Sequence, residues 1–409
     1  MCYGEYIKRG KGMKLLEYKQ YNNSDEEKTL NKKKVIISVI ISIIAIFIVT
    51  IYITYVSNSN FRNFMDKYIL LKSVSENNLP YINIDSEKNI HTYAYYNYVT
   101  ILENNKLLLY NSSGNEVDSL EINISSPIFA SQDKYLVIAE KNQQKVYLIK
   151  DKKIVWEKEV EGQISRVSVN ENGYVSVVVS GTSYKSVIIT YSEDGGEVFK
   201  TFLSNTVAVD VDISNDNKYL SFCEMNISGT LIETTVKTIS IEKAKQDPAN
   251  SIIYTYNIPS NILATNLEYH EKDELLCMCD KEIYLLKNGS LEKIADLSES
   301  KVTFAGIKLS KSYFKVIEET HGINNQISNL EIYNTTNNNS YMYTINGIAK
   351  EVYSKYDTIC VNLGSEVYFI NEVGWLIKKY TSSQEIRNIV MSNNIAGIVY
   401  RNKIEFISL

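Results

Sequence analysis

The stretch Glu366–Tyr380 reads EVYFINEVGWLIKKY, and a looser relative, KVYLIKDKKIVWEKEV, occupies Lys145–Val160. Each places an alternating apolar run before a polar turn, a tryptophan and a basic second run, which is the pattern of two adjacent strands joined by a tight connection. One chain carrying this pattern twice, roughly 220 residues apart, calls for a search for internal repeats.

That search finds eight occurrences of a polar turn followed by an apolar strand. They are NYVTILEN around Tyr98, SQDKYLVIAE around Tyr135, NENGYVSVVV around Tyr174 and SNDNKYLSFC around Tyr219. The series continues with EKDELLCMCD at Glu274, SKSYFKVIEE at Tyr313, SKYDTICVNL at Asp357 and SNNIAGIVYR at Ile395. The intervals are 37, 39, 45, 55, 39, 44 and 38 residues, close to the roughly 40–45 residues of a four-stranded propeller blade. Each is followed by a second strand, such as KLLLYN, SVIITY or KIEFIS. The expected fold is all-β, an eight-bladed β-propeller over residues 79–409, with seven blades as the alternative. The last repeat stops at Leu409 after its third strand, so the missing strand is expected from Tyr81–Asp85 (YINID), closing the ring and removing sheet edges.

With 44% apolar and 22% charged residues and only 4 Pro, the chain can bury a sizeable core. Val35–Val56 is an uncharged run of 22 residues, about 33 Å as a helix, and is expected to cross a lipid bilayer as residues 35–56. It is longer than the apolar region of a cleaved signal. Lys32, Lys33 and Lys34 abut its N-terminal side, which predicts a cytoplasmic tail over 1–34 and an extracytoplasmic body. Lys8–Gly12 (KRGKG) before Met13 fits a translated ribosome-binding site, with Met13 as an alternative start. Between membrane and ring, 57–78 reads as a juxtamembrane linker with a short amphipathic helix, its apolar stripe formed by Phe61, Phe64, Met65, Tyr68 and Ile69, docked on the outer domain and ended by Asn77–Pro80.

Residues 1–34 hold nine basic and five acidic side chains, a balance of +4, which leaves −9 for the remainder of a chain with net charge −5. An acidic body lacks the basic stripes that phosphate backbones require, so no nucleic-acid partner is expected.

SNDNKYLSF and SQDKYLVIA resemble the turn and inner strands of WD-repeat propellers, while VYLIKDKKIVWEKEV and VYFINEVGWLIKKY resemble the quinoprotein-type (PQQ-like) repeat. Together with the single anchor, VNLGSEVYFINEVGWLIKKY is similar to an uncharacterised family of membrane-anchored propeller proteins of Gram-positive bacteria. The resemblance implies a fold and a location, and carries over no catalytic residue. The cofactor and calcium ligands of true quinoproteins have no counterparts in this chain, so no cofactor and no metal are expected.

His91, His270 and His321 lie in different repeats without metal-ligand spacing. Cys223, Cys277, Cys279 and Cys360 sit in apolar strands and read as small buried residues. Asp210, Asp212 and Asp216 in DVDISNDN lack the glycine and closing glutamate of a calcium loop and fit a blade turn better. Trp375 is expected to pack between blades, with Lys378 and Lys379 near solvent. Two connections between second and third strands are long, MNISGTLIET in the fourth repeat and HGINNQISN in the sixth, and long loops on a rigid scaffold are where binding residues concentrate. Asn226, His321, Asn324 and Asn325 are therefore the candidate binding residues. The function expected is non-enzymatic binding or scaffolding of a protein or cell-envelope partner, with an enzyme or small-ligand sensor using the central channel as the alternative.

Overall fold

The structure is a computed structural model that describes residues 32–409 except 58, 71, 77–78, 86–87, 182, 230, 271–272 and 322–324. The tail before residue 32, the Met13 start, Cys2 and Asn324 lie outside the described residues. The chain divides into an N-terminal unit ending at Arg62 and a second unit from Asn63 onward.

In the first unit Lys32–Ser57 forms one helix, and Lys34–Ser57 has a mean hydropathy of 3.0 with none of its most apolar window buried. Its length and composition suffice to cross a membrane. The hydroxyls of Ser42, Thr50, Thr54 and Ser57 donate to the carbonyls four residues earlier at 2.7–2.9 Å, so these polar groups are satisfied within the helix itself.

The second unit is an eight-bladed propeller of antiparallel four-stranded sheets. Blades one to seven each take four consecutive strands, starting innermost at His91, Pro127, Gln163, Val207, Ala264, Val302 and Glu351. Middle strands are buried on both faces because neighbouring blades cover them, as in Val175–Ser180 and Ile395–Val399. This is why YVSVVV and YLVIA read as continuous apolar runs rather than alternating ones. The core is accordingly divided among the interfaces. Val137, Leu148 and Trp156 of blade two, for instance, cluster with Ile164, Val177 and Val187 of blade three. Cys223, Cys277, Cys279 and Cys360 are free and buried, as their apolar contexts predict. The 55-residue interval reflects an insertion between the third and fourth strands of blade four, a short helix Ile241–Ala244 and a turn Pro248–Asn250.

Blade eight has three strands from the C-terminus, Asn388–Met391, Ile395–Val399 and Lys403–Ser408, and takes its fourth from Tyr81–Asn83. Tyr81 pairs with Glu405, Ile82 with Ile404 and Asn83 with Lys403. The expected closure is thus present, in three of the five residues expected. The N-terminal segment also does more than its sequence announced. Ser73–Ser75 adds a parallel fifth strand to the outer edge of blade seven, opposite Lys379–Thr381. The helical stretch ends at Ile69 rather than at Asn77–Pro80, running as Ser59–Phe64 followed by a wider π turn, Met65–Ile69. Phe64, Tyr68 and Ile69 are exposed, so this part of the expected apolar stripe is not docked on the ring.

The two tryptophans part ways. Trp156 is the one that packs between blades. It lies 5.6 Å from the Tyr191 ring, and its Nε1 donates to the Glu193 carbonyl at 3.1 Å. Gly195, at φ +84, lets that turn come so close that a Cβ there would sit 2.9 Å from the indole. Trp375, expected in that role, is 39% exposed. Its turn from Asn371 lies along the outer strand of blade six, where a Cβ at Gly374 would come within 3.1 Å of Tyr341. Lys379 pairs with Glu366 at 2.7 Å near the solvent edge.

A buried polar network locks the seam. The Glu76 carboxylate accepts from the Ser383 amide at 3.0 Å, from its hydroxyl at 2.8 Å and from Gln384 Nε2. Lys403 Nζ lies 3.1 Å from Glu76 and 2.6 Å from Glu405. Glu405 in turn accepts from Tyr380 at 2.7 Å, and Tyr400 donates to Ser382 at 2.8 Å. Burial opposes the Glu76 charge, but the Ser383 and Lys403 contacts outweigh it and hold its pKa down at about 2. A carboxylate whose folded pKa lies below its unfolded value near 4.5 adds stability above that value, and loses it as pH falls toward 2. Glu76→Gln in the detergent-solubilised full chain is expected to lower Tm at pH 7 by about 2–4 °C and to flatten the loss of Tm between pH 4.5 and 2; an unchanged acid profile would refute the role given to Glu76.

Candidate functional site

A cavity of ≈ 810 Å³ occupies the central channel. Every blade contributes to its lining, through the innermost strand, the turn that follows it or both, with Asp133, Glu171, Asn215, Ser310, Tyr356 and Asn393 among the turn residues. In an antiparallel blade those turns and the connections between second and third strands lie at opposite ends. The cavity therefore opens on the face opposite the long connections of blades four and six.

Four of the eight innermost strands carry a β-bulge, and they are consecutive. Ser165, Val209, Thr265 and Thr303 are the extra residues in blades three to six. A bulge shifts the alternation of the residues after it and re-aims their side chains. Ser165, Thr265 and Thr303 donate their hydroxyls to the carbonyls of Val178, Met278 and Val316 on the next strand at 3.1–3.4 Å, which fixes the irregularity. Several positions after the bulges then line the channel, among them Arg166, Asp210, Asp212, Asn266, Glu268 and Lys308. The innermost strands of blades seven, eight, one and two pair with their neighbours without a bulge.

On that side a cluster of aromatic rings and a lysine lines the cavity. Tyr93 and Phe129 stack at 4.8 Å. Lys355 Nζ, 4.5 Å from the centre of the Tyr93 ring, donates to Ala94 O at 3.0 Å, Ser131 Oγ at 2.5 Å and Tyr93 Oη at 3.2 Å. All three ammonium protons are used in tying blade seven to blades one and two. Burial alone would raise the Tyr93 pKa, but the Lys355 charge and the hydrogen bonds from Ser131 and Lys355 leave it lowered.

On the bulged side several charged groups also belong to the fold. Asp210 accepts from the Leu267 amide at 2.9 Å and Asp212 from the Tyr269 amide at 2.7 Å, while Ser168 donates to Asp212 at 3.0 Å. Two aspartates thus satisfy backbone donors of the next blade, the work that a neighbouring strand does in a flat sheet. Asp216 accepts from Ser214 and Lys218 within the turn. The calcium-loop letters are therefore spent on blade joints, and no cluster of three metal-ligating side chains occurs among the described residues. The joint recurs just past other innermost strands. Asn170 Nδ2 donates to Ser214 O at 2.9 Å, His270 Nε2 contacts Ile307 O at 2.8 Å, and Ser392 donates to Tyr96 O at 2.5 Å. Burial lowers the His270 pKa to about 4, so it is a neutral joint.

Two groups remain without such work, and a third is engaged only in part. Among the described residues, no hydrogen bond or ion pair engages the Lys308 ammonium or the Glu268 carboxyl, and Arg166 uses only its Nε, donating to Val209 O at 3.1 Å. Burial, and then the charges of Asp212 and Asp210, raise the Glu268 pKa to about 8, against the opposing pull of Lys308. Asp212 is pushed up to about 6, chiefly by burial.

The residues chosen from sequence lie elsewhere. Asn226 ends the second strand of blade four, and its Oδ1 accepts from the Ser228 amide at 3.1 Å as a loop cap. His321 and Asn325 face each other at the tip of the longest hairpin in blade six. None of the three belongs to an innermost strand, and the structure does not bring Asn226 together with the blade-six pair by any bond among the described residues. Around Asn226 the surface is apolar. The rings of Tyr184 and Phe202 of blade three meet at a tilt, 4.8 Å between centres, and Lys185 Nζ reaches Ser228 Oγ at 3.1 Å, joining them to the loop that exposes Ile227, Leu231 and Ile232.

A family model, described as a family of unknown function, matches residues 66–409. No curated protein matches the chain. Among solved structures, BamB from Moraxella catarrhalis is similar at 11% identity and a TM-score of 0.44, covering 81% of this chain and 97% of that one. A eukaryotic initiation factor matches at 13% identity and a TM-score of 0.50, covering 79% and 86%. The Dos1 propeller matches at 10% and 0.47, covering 79% and 87%. At these identities the likeness is one of fold alone.

Replacing Asp212 by Ala leaves the buried Tyr269 amide without its acceptor and is expected to cost about 1–3 kcal/mol, whereas Asp212→Asn, which keeps an acceptor, costs less. Urea unfolding of the two variants checks the order, and equal losses would refute it.

Proposed function

We propose, from the premise that the chain belongs to the DUF5711 family of unknown function, that it is a single-pass, membrane-anchored binding protein whose propeller stands outside the cell. It holds a protein partner at the cell envelope and does not catalyse a reaction. The observation that carries this reading is the exposed apolar group of Tyr184, Phe202, Ile227, Leu231 and Ile232, of which Phe202 is 51% and Leu231 66% exposed. These side chains lie on the face that bears the long blade-four connection. Large apolar side chains left together on a rigid surface, beside a loop pinned by Lys185, fit a protein interface better than a solvated rim. The orientation is supported by Lys32, Lys33 and Lys34 on the N-terminal side of the apolar helix. A second reading, a small-ligand site in the channel, is favoured by the cavity and its unpaired charged groups.

A photo-crosslinking amino acid placed at Phe202 or Leu231 in living cells is expected to yield a discrete crosslinked partner, and the same probe at Ile154, exposed on the outer strand of blade two, is not. Phe202→Asp should abolish capture at Leu231. Equal yields at the three positions, or crosslinks only between copies of the chain, would sink the partner reading. Ser228→Cys should react with a membrane-impermeant maleimide in intact cells; labelling only after lysis would reverse the assigned orientation.

A further inference from the structure

Subtracting the groups that the fold consumes leaves a specific remainder in the cavity. Asp210 and Asp212 hold amides of blade five, and Lys355 is fully donated across the seam. What keeps free donors or acceptors toward the lumen lies along an arc across the four bulged blades. Arg166 from blade three and Lys308 from blade six stand at its ends, and the carboxyl-bearing strands of blades four and five lie between them. Lys308 is exposed to the lumen, and Glu268 is partly so. A fold that needed these charges for stability would have paired them, because an unpaired charge in a walled cavity costs more than one on the surface.

We infer that the cavity binds a small zwitterion, of amino-acid to dipeptide size, whose ammonium lies against Glu268 and whose carboxylate is received by Lys308 of the adjacent blade. The inference rests on the small-ligand reading of the channel and is independent of the apolar partner face. A simple anion would satisfy Lys308 and Arg166 but would lie beside Asp210, Asp212 and Glu268 with no compensation. A simple amine would satisfy the carboxyls and leave both cations unmatched. Only a ligand bearing both charges complements the adjacent carboxyl of Glu268 and ammonium of Lys308. A volume of ≈ 810 Å³ is within the range of small-molecule pockets, roughly 300–1,000 Å³, and leaves room for water around a dipeptide.

The site predicts its own proton linkage. With a pKa of about 8, Glu268 holds its proton at pH 7, and a ligand ammonium placed beside it favours the carboxylate. Binding at pH 7 must therefore release protons, up to one per ligand.

The test is calorimetric titration of the detergent-solubilised full chain with L-alanyl-L-alanine at pH 7, in two buffers of different ionisation enthalpy, beside N-acetyl-alanyl-alanine and alanyl-alanine amide. Saturable binding of the free dipeptide, with a heat that differs between buffers in the sense of proton release, is expected. The two capped forms should bind at least about 10-fold more weakly. Lys308→Met should weaken the free dipeptide by a similar factor. Glu268→Gln should weaken it and abolish the buffer dependence, while both variants keep the parent's circular dichroism and Tm. No binding up to about 10 mM overturns the inference. Equal binding of the acetylated form makes the cavity an anion site, equal binding of the amide makes it an amine site, and either result overturns it as well. Each of these outcomes leaves the crosslinking result at Phe202 and Leu231 unaffected.

Discussion

A ring of eight sheets has no internal reason to close. Each blade buries its faces only against its two neighbours, so the core exists in full only when blade eight meets blade one. That meeting rests on the pairing of Tyr81–Asn83 with Lys403–Glu405, which draws on opposite ends of the chain. Its neighbours reinforce it. Phe406 N donates to Pro80 O and Ile84 N to Asn402 O, both at 2.9 Å. Val99 and Ile101 of blade one share an apolar cluster with Ile395, Ile404 and Phe406 of blade eight. Without the closing strand, Lys403–Ser408 becomes an open sheet edge, and the two-sided burial of every middle strand loses its basis.

The same closure shapes the channel. Lys355 reaches from blade seven to blades one and two, and with Tyr93 and Phe129 it lines the lumen near the seam. The opposite arc carries the bulges, and there groups spent on the fold stand beside groups that are not. The sorting rule is bookkeeping of hydrogen bonds: Asp210, Asp212 and Lys355 have backbone partners in other blades, while Lys308 and Glu268 are engaged by none among the described residues.

How much of this was legible depends on what sets each feature. Blade count and closure were readable because two-sided burial turns middle strands into apolar runs such as YLVIA, and because a last repeat lacking one strand points to the N-terminal YINID. The helix long enough to cross a membrane was readable from composition alone. The channel was not. Arg166 and Glu268 stand in ordinary alternating strands and Lys308 two residues beyond one, and only a bulge at Ser165, Val209, Thr265 or Thr303 decides which face they take. A one-residue irregularity leaves little mark in sequence, although the hydroxyl residues at three of the four positions are a faint one. Asn226, His321, Asn324 and Asn325 were chosen by loop length, which found the face opposite the cavity mouth. Trp375 misled because the tryptophan of the hairpin was read by letter, whereas the indole is buried only where a close turn such as Gly195 receives it, as at Trp156.

The parallel strand Ser73–Ser75 and the Glu76 clip also set an order of mechanical failure. The chain leaving the N-terminal helix meets Ser73–Ser75 on blade seven before it reaches the closing strand at Tyr81. Any pull transmitted along the tether is therefore taken up first by the Lys72–Lys379 and Glu76–Thr381 backbone bonds at 3.0 Å and by the carboxylate of Glu76. The strand that shuts the ring lies downstream of that attachment and bears tension only after it has torn. The N-terminal segment thus acts as strain relief, so that the ring can be pulled from its N-terminal side and stay closed.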